Sequence, residues 1–127
     1  MRTLAVLLSI AFLFEAPEIN AEQPGGHNQQ LLQKVIEANA AGECPEDMMT
    51  PLLRGACLQQ ISNFKAVLSA QGKISSIEFL GTQQIPNSGI VEVYQVDFPR
   101  SSMIWTINTG PDGKIAVLWT AGAVPKQ

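Results

Sequence analysis

Three segments decide the fold: Gly89-Ile90-Val91-Glu92-Val93-Tyr94-Gln95-Val96-Asp97-Phe98, then Ser102-Met103-Ile104-Trp105-Thr106-Ile107-Asn108-Thr109, then Gly113-Lys114-Ile115-Ala116-Val117-Leu118-Trp119-Thr120-Ala121. Each alternates, and each is rich in Ile, Val and aromatic residues, the pattern of extended chain rather than helix. Pro99-Arg100-Ser101 separates the first two segments, and Gly110-Pro111-Asp112 leads into the third, with Asp112-Gly113 a strong hairpin signal. A fourth strand over 74–82, ending before the turn Pro86-Asn87-Ser88-Gly89, completes the set. Connections this short join antiparallel neighbours, so the pattern predicts a meander.

Alternation also sorts the side chains. Tyr94, Val96 and Phe98 share one face, with Val91 and Val93 on the other. Met103, Trp105 and Ile107 oppose Ile104, and Ile115, Val117 and Trp119 oppose Ala116 and Leu118. Strict alternation places Trp119 with Trp105 and Tyr94, and puts Ile104, Leu118 and Val93 outward. Both faces are apolar, so one is expected to carry the helices and the other a partner, a ligand or the C-terminal tail.

The chain before residue 73 reads as helical. Leu31, Leu32, Val35, Ile36 and Ala40 make one apolar stripe over 29–40, with Asn28 as the candidate cap and Gly42 as the stop. A second helix starts at Thr50-Pro51, a capping residue followed by a proline at the first helical position, and ends at Gly72. Leu53, Cys57, Phe64 and Leu68 form its inward face. The whole is an α+β domain in which two N-terminal helices pack on a curved four-stranded antiparallel meander.

At the start, Arg2 and the apolar run Leu4–Phe14, broken only by Ser9, read as a secretory signal ending at Ile19-Asn20-Ala21. Eleven residues are too few for a bilayer span, which takes about 20. The expected organisation is a signal peptide over 1–21, a flexible leader over 22–28, one domain over 29–121 and a tail over 122–127. The expected location is periplasmic or secreted. Removing Arg2, Glu15 and Glu18 from eight basic and eleven acidic side chains leaves seven and nine, a net charge of −2. The remaining cations are scattered, which argues against nucleic acid as a partner. No later stretch is apolar and long enough to act as a membrane span, so no membrane association is expected after cleavage.

Cys44 and Cys57 are the only cysteines, and in an oxidising compartment two pair once. The alternatives are free thiols, or metal chemistry, for which His27 would be the only histidine. No motif requires a metal or other cofactor. Pro111-Asp112-Gly113-Lys114 is a hairpin turn rather than a phosphate loop.

The segments Ile77-Glu78-Phe79-Leu80-Gly81, Val93-Tyr94-Gln95-Val96-Asp97-Phe98, Trp105-Thr106-Ile107 and Pro111-Asp112-Gly113-Lys114-Ile115 resemble a family of bacterial exported modules. Those modules have the nuclear transport factor 2-like, cystatin-like fold, and stand alone or are attached to serine beta-lactamase-type hydrolases. The resemblance covers most of the chain after residue 21 and implies a cystatin-like roll. Its motifs mark strands and turns and carry no catalytic signature. Cys44 and Cys57 depart from the pattern.

Some members of the wider fold are enzymes similar to ketosteroid isomerase or scytalone dehydratase, which need a carboxylate or His base in an apolar pocket with a hydroxyl donor. Glu92 shares the face of Tyr94 two positions away, whereas Asp97 lies on the other face. Glu92 with Tyr94 is therefore the one acceptable pair; the plainer roles are ordinary strand packing for Tyr94 and a place at the sheet margin for Glu92. Trp105 and Trp119 are candidates to line a ligand pocket, set against ordinary core or interface packing.

Two functions are expected from this reading. The first is a non-enzymatic module that dimerises through its sheet, meets a periplasmic protein partner, or holds a small apolar ligand through Tyr94, Trp105, Trp119 and Glu92. The second is a small cavity enzyme of isomerase or dehydratase type.

Overall fold

A computed structural model describes residues 26–87 and 89–126. The expected signal peptide, and the leader up to residue 25, lie outside the described residues. The elements run α1 (Gln29–Ala40), α2 (Pro51–Gln71), β1 (Ser76–Ile85), β2 (Gly89–Asp97), β3 (Ser101–Thr109) and β4 (Ile115–Pro125). Among the described residues, two helices precede a four-stranded antiparallel sheet of order β1-β2-β3-β4, an α+β domain.

The helix boundaries follow from their caps. The Thr50 hydroxyl accepts from Leu53 N–H at 3.3 Å, Pro51 opens the helix, and Gly72 closes it at φ 87°. α1 starts differently from expectation, because the Asn28 side chain makes no capping bond. Its start is instead held from across the fold by β2. The connector between the helices is tied to the sheet: Ile115 N–H donates to Met48 O at 2.7 Å, and Thr50 N–H donates to Ile115 O at 3.0 Å.

One side of the sheet carries the core. Leu32, Val35 and Ile36 of α1 and Leu68 of α2 meet Tyr94, Val96, Met103, Trp105 and Ile107 of β2 and β3, with Phe98 just beyond β2. All of these are nearly or wholly excluded from water. Burying a large apolar side chain stabilises by roughly 1.5–3 kcal/mol, so this cluster dominates the favourable side of folding.

Strict alternation fails in β4, and the register shows why. Thr106 pairs with Trp119 and Ile107 with Leu118, but Thr109 pairs with Ile115 across a shift that leaves Ala116 extra. A bulge adds one residue and reverses the faces beyond it. Leu118 therefore packs on the core, while Trp119 is 62 % exposed on the opposite side from Trp105. The expectation that Trp119 lies with Trp105 and Tyr94, and Leu118 outward, is corrected by that one residue.

The expected tail over 122–127 is corrected too. A second shift between Met103 and Trp105 lets β4 continue, so that Met103 pairs with Ala123, Ser102 with Val124 and Ser101 with Pro125. Gly122, at φ 111°, supplies the backbone conformation there that a side chain would oppose.

Candidate functional site

Glu92 stands on the core-facing side of β2 between apolar neighbours, and is 7 % exposed. A buried carboxylate needs donors, and the chain brings them from 64 and 65 residues away. His27 N–H donates to its two oxygens at 3.0 and 2.8 Å, and Asn28 N–H donates to Oε1 at 3.0 Å. The Tyr94 hydroxyl donates to the same Oε1 at 2.7 Å, and Asn28 N–H also reaches the hydroxyl oxygen at 3.1 Å. The carboxylate thereby sits at the start of α1, where the helix dipole favours negative charge.

This clamp corrects the expectation of a leader that is flexible as far as residue 28. Gly26 lies so close to Tyr94 that an added Cβ would strike the hydroxyl and approach Phe79 to 2.8 Å. Its φ of 67° adds a second reason for glycine. Phe79 in turn packs on the Tyr94 ring, with centroids 5.3 Å apart. Burial, and then the hydrogen bond to Glu92, hold the Tyr94 phenol well above the usual tyrosine range, against a smaller opposing effect from Asn28 N–H.

Glu92 and Tyr94 are thus brought together as the sequence suggested, but in contact with backbone. A cavity of about 450 Å³ adjoins them, lined by His27, Asn28, Thr82, Glu92, Ile107 and Thr109 among others. Tyr94 itself is wholly buried.

Trp105 and Trp119 are separated. Trp105 is 2 % exposed and forms part of the wall of a 190 Å³ cavity between α2 and the β3–β4 ladder. Its indole Nε1 is buried and, among the described residues, has no hydrogen-bond partner. Trp119 borders a different cleft, of about 280 Å³, between α2 and β4. A third apolar cavity, about 390 Å³, lies between the C-terminal halves of the helices, lined by Ile36, Ala40, Leu68, Ile74 and Phe98, with Glu37 and Lys73 at its margin.

Cys44 and Cys57 form a disulfide with Cα atoms 6.1 Å apart. It fixes the connector to the inward face of α2, where Arg54 Nε donates to Cys44 O at 2.8 Å and Asn39 Nδ2 to Glu43 O at 2.8 Å. The bond and its setting are compatible with an extracellular or periplasmic location. Among the described residues no helix is long and apolar enough to cross a membrane, and no group of three potential metal ligands occurs.

Sequence reasoning missed the backbone of His27 and Asn28 as the partner of Glu92. The signal was present, because a carboxylate on the same strand face as Tyr94, Val96 and Phe98 must find several donors. No family model matches the chain, and comparison with curated proteins and with solved structures finds no match either.

Proposed function

We propose that this protein is an exported, non-enzymatic binding module of cystatin-like architecture, which holds a small apolar ligand between its helices and the inner face of its sheet. The observation that carries the proposal is the set of half-open apolar clefts beside the helices, about 390 Å³ at their C-terminal ends and about 190 and 280 Å³ between α2 and the sheet. The disulfide supports an oxidising compartment, and with it the periplasmic or secreted location. The likeness of its strand and turn segments to exported nuclear transport factor 2-like modules belongs to the same proposal.

The outer sheet face gives the module a second binding surface. Ile104, Trp119 and Val124 are exposed there, at 40, 62 and 62 %, and a second copy of the chain is the proposed occupant.

The enzyme reading keeps one specific observation, the Glu92–Tyr94 pair beside the 450 Å³ cavity. Against it, the carboxylate's oxygens already receive backbone N–H groups and the phenol is wholly buried. The module reading predicts that small apolar compounds, bound to the native state of residues 22–127, raise its melting temperature. A panel of such compounds with no effect on melting contradicts it.

A further inference from the structure

We propose that the groove between α2 and the free edge of β4 receives an extended segment of another polypeptide, which pairs antiparallel with β4 as a fifth strand and presses alternate apolar side chains against α2. The proposal goes beyond the small-ligand reading. It fills the two clefts between α2 and the sheet with side chains and leaves the 390 Å³ cleft to a free molecule.

The first observation is an unpaired edge. β4 is an outer strand of the sheet, and its free side meets backbone at Ile115, through Met48 and Thr50. Gly122 N–H is taken by the Thr120 hydroxyl at 3.2 Å, so among the described residues 116–121 form the open stretch. Edge strands are ordinarily blunted by charge, and β1, the other edge, carries Glu78. β4 has no charged side chain from Ile115 to Pro125. A row of main-chain N–H and C=O groups is matched most fully by another main chain.

The second observation is the groove itself. α2 and β4 flank two half-open clefts of about 280 and 190 Å³. Leu53, Ala56, Leu118 and Trp119 border the first, Val67 and Ala121 border the second, and Phe64 and Thr120 border both. Adjoining clefts suit side chains at positions i and i+2 of a strand, about 7 Å apart. No charged residue lines either cleft, so those side chains are apolar. The third observation is charge at one end. Arg100 and Lys126 are exposed where β4 ends, with Lys126 N–H donating to Arg100 O at 2.9 Å. Neither side chain forms an ion pair among the described residues. In an antiparallel pair the N-terminal end of the added strand lies there, so charge complementarity makes that end acidic.

The test titrates the peptide Ac-Asp-Asp-Thr-Val-Thr-Leu-Thr-Ser-NH₂ into the exported protein by calorimetry and follows backbone amides by proton–nitrogen correlation spectra. The peptide binds one per chain and moves the amide resonances of residues 116–121. Lys-Lys in place of Asp-Asp weakens binding about fivefold at low salt. N-methylation of the alternate peptide amides that face β4 weakens it about tenfold or more, whereas methylation of the other alternate set leaves it unchanged. Ala56→Lys, at an exposed helix position, puts a charge in the groove and abolishes binding with the circular dichroism spectrum retained. Equal loss from both methylation sets, or from neither, overturns the added strand. A dimer of the free chain that Ala56→Lys breaks and Ile104→Lys does not would place a second copy in the groove, and overturns the assignment to another polypeptide. If no peptide binds, yet small apolar compounds raise the melting temperature, this proposal alone is overturned and the small-ligand reading stands.

Discussion

The Tyr94 hydroxyl stands 2.7 Å from a carboxylate oxygen of Glu92, two residues earlier on the same strand, and the same oxygen accepts the backbone N–H groups of His27 and Asn28. A strand pair that resembles an acid–base dyad in sequence is, in the fold, the fastening of the first helix to the sheet. Each bond to the carboxylate is charge-assisted, and its backbone donors come from 64 and 65 residues away in the chain.

Glu92→Gln therefore weakens the domain. The substitution keeps the shape, removes the charge at the start of α1, and replaces one acceptor by an NH₂ facing backbone donors. The expected loss is about 2 kcal/mol, or a fall in melting temperature of ~10 °C for a domain of this size. Thermal unfolding followed by circular dichroism measures it. A change smaller than a degree would show that the clamp contributes nothing to stability.

Tyr94 makes stability depend on alkaline pH. Its phenol is held above the ordinary value of 10.0 in the folded chain, first by burial and then by Glu92. Above pH ~10 the unfolded chain releases this proton while the native state keeps it, so stability is fully present below that pH and falls as pH rises beyond it. Tyr94 is the only tyrosine, so tyrosinate absorbance in the ultraviolet reports it alone. The expected titration is displaced upward, coincides with unfolding, and returns to the ordinary range in denaturant. A tyrosinate signal that appears near pH 10 in the folded protein contradicts the burial.

Reduction of Cys44–Cys57 loosens the connector. For two cysteines 13 residues apart the chain-entropy model gives about 3 kcal/mol. Denaturant unfolding of the oxidised protein and of a Cys44→Ser/Cys57→Ser variant compares the two directly. Intact mass after alkylation, without reductant, should show no modified thiol in exported material, whereas two modified thiols would refute the bond in the cell.

The proposed sheet-face dimer depends on the outward residues Ile104 of β3 and Trp119 of β4. Ile104→Lys is expected to convert dimer to monomer with the circular dichroism spectrum retained, because Ile104 is 40 % exposed. Leu118→Lys is expected to unfold the domain, because Leu118 packs on the core. Light scattering after size exclusion reads the first. A wild-type chain that runs as a monomer throughout the micromolar range removes the dimer.

Most of the architecture was legible from local chemistry. Thr50-Pro51 and Gly72 bound the second helix, and the proline- and glycine-containing turns divide the four strands, because these signals act within a few residues. The faces of β4 were not legible. Ala116 carries nothing that marks it as an extra residue, and the shift falls beside Ile115, which bonds to Met48 and Thr50, contacts made between distant segments. The same holds for the continuation of β4 past Gly122, which depends on pairing with Ser101–Met103. In the candidate site the Glu92–Tyr94 proximity followed from period-two spacing alone. The backbone donors of His27 and Asn28 did not, since a main-chain group has no residue type to announce it, and the orphaned indole of Trp105 becomes visible only once its neighbours are packed.

The most direct measurement of the central claim is native mass spectrometry of the protein purified without denaturation from the exported fraction, followed by analysis of what denaturation releases. The expected result is one small, chiefly apolar molecule bound per chain, or an empty chain that takes up one such molecule when a panel of small apolar compounds is supplied. A chain that carries no adduct, and gains none with any apolar compound in the panel, contradicts it.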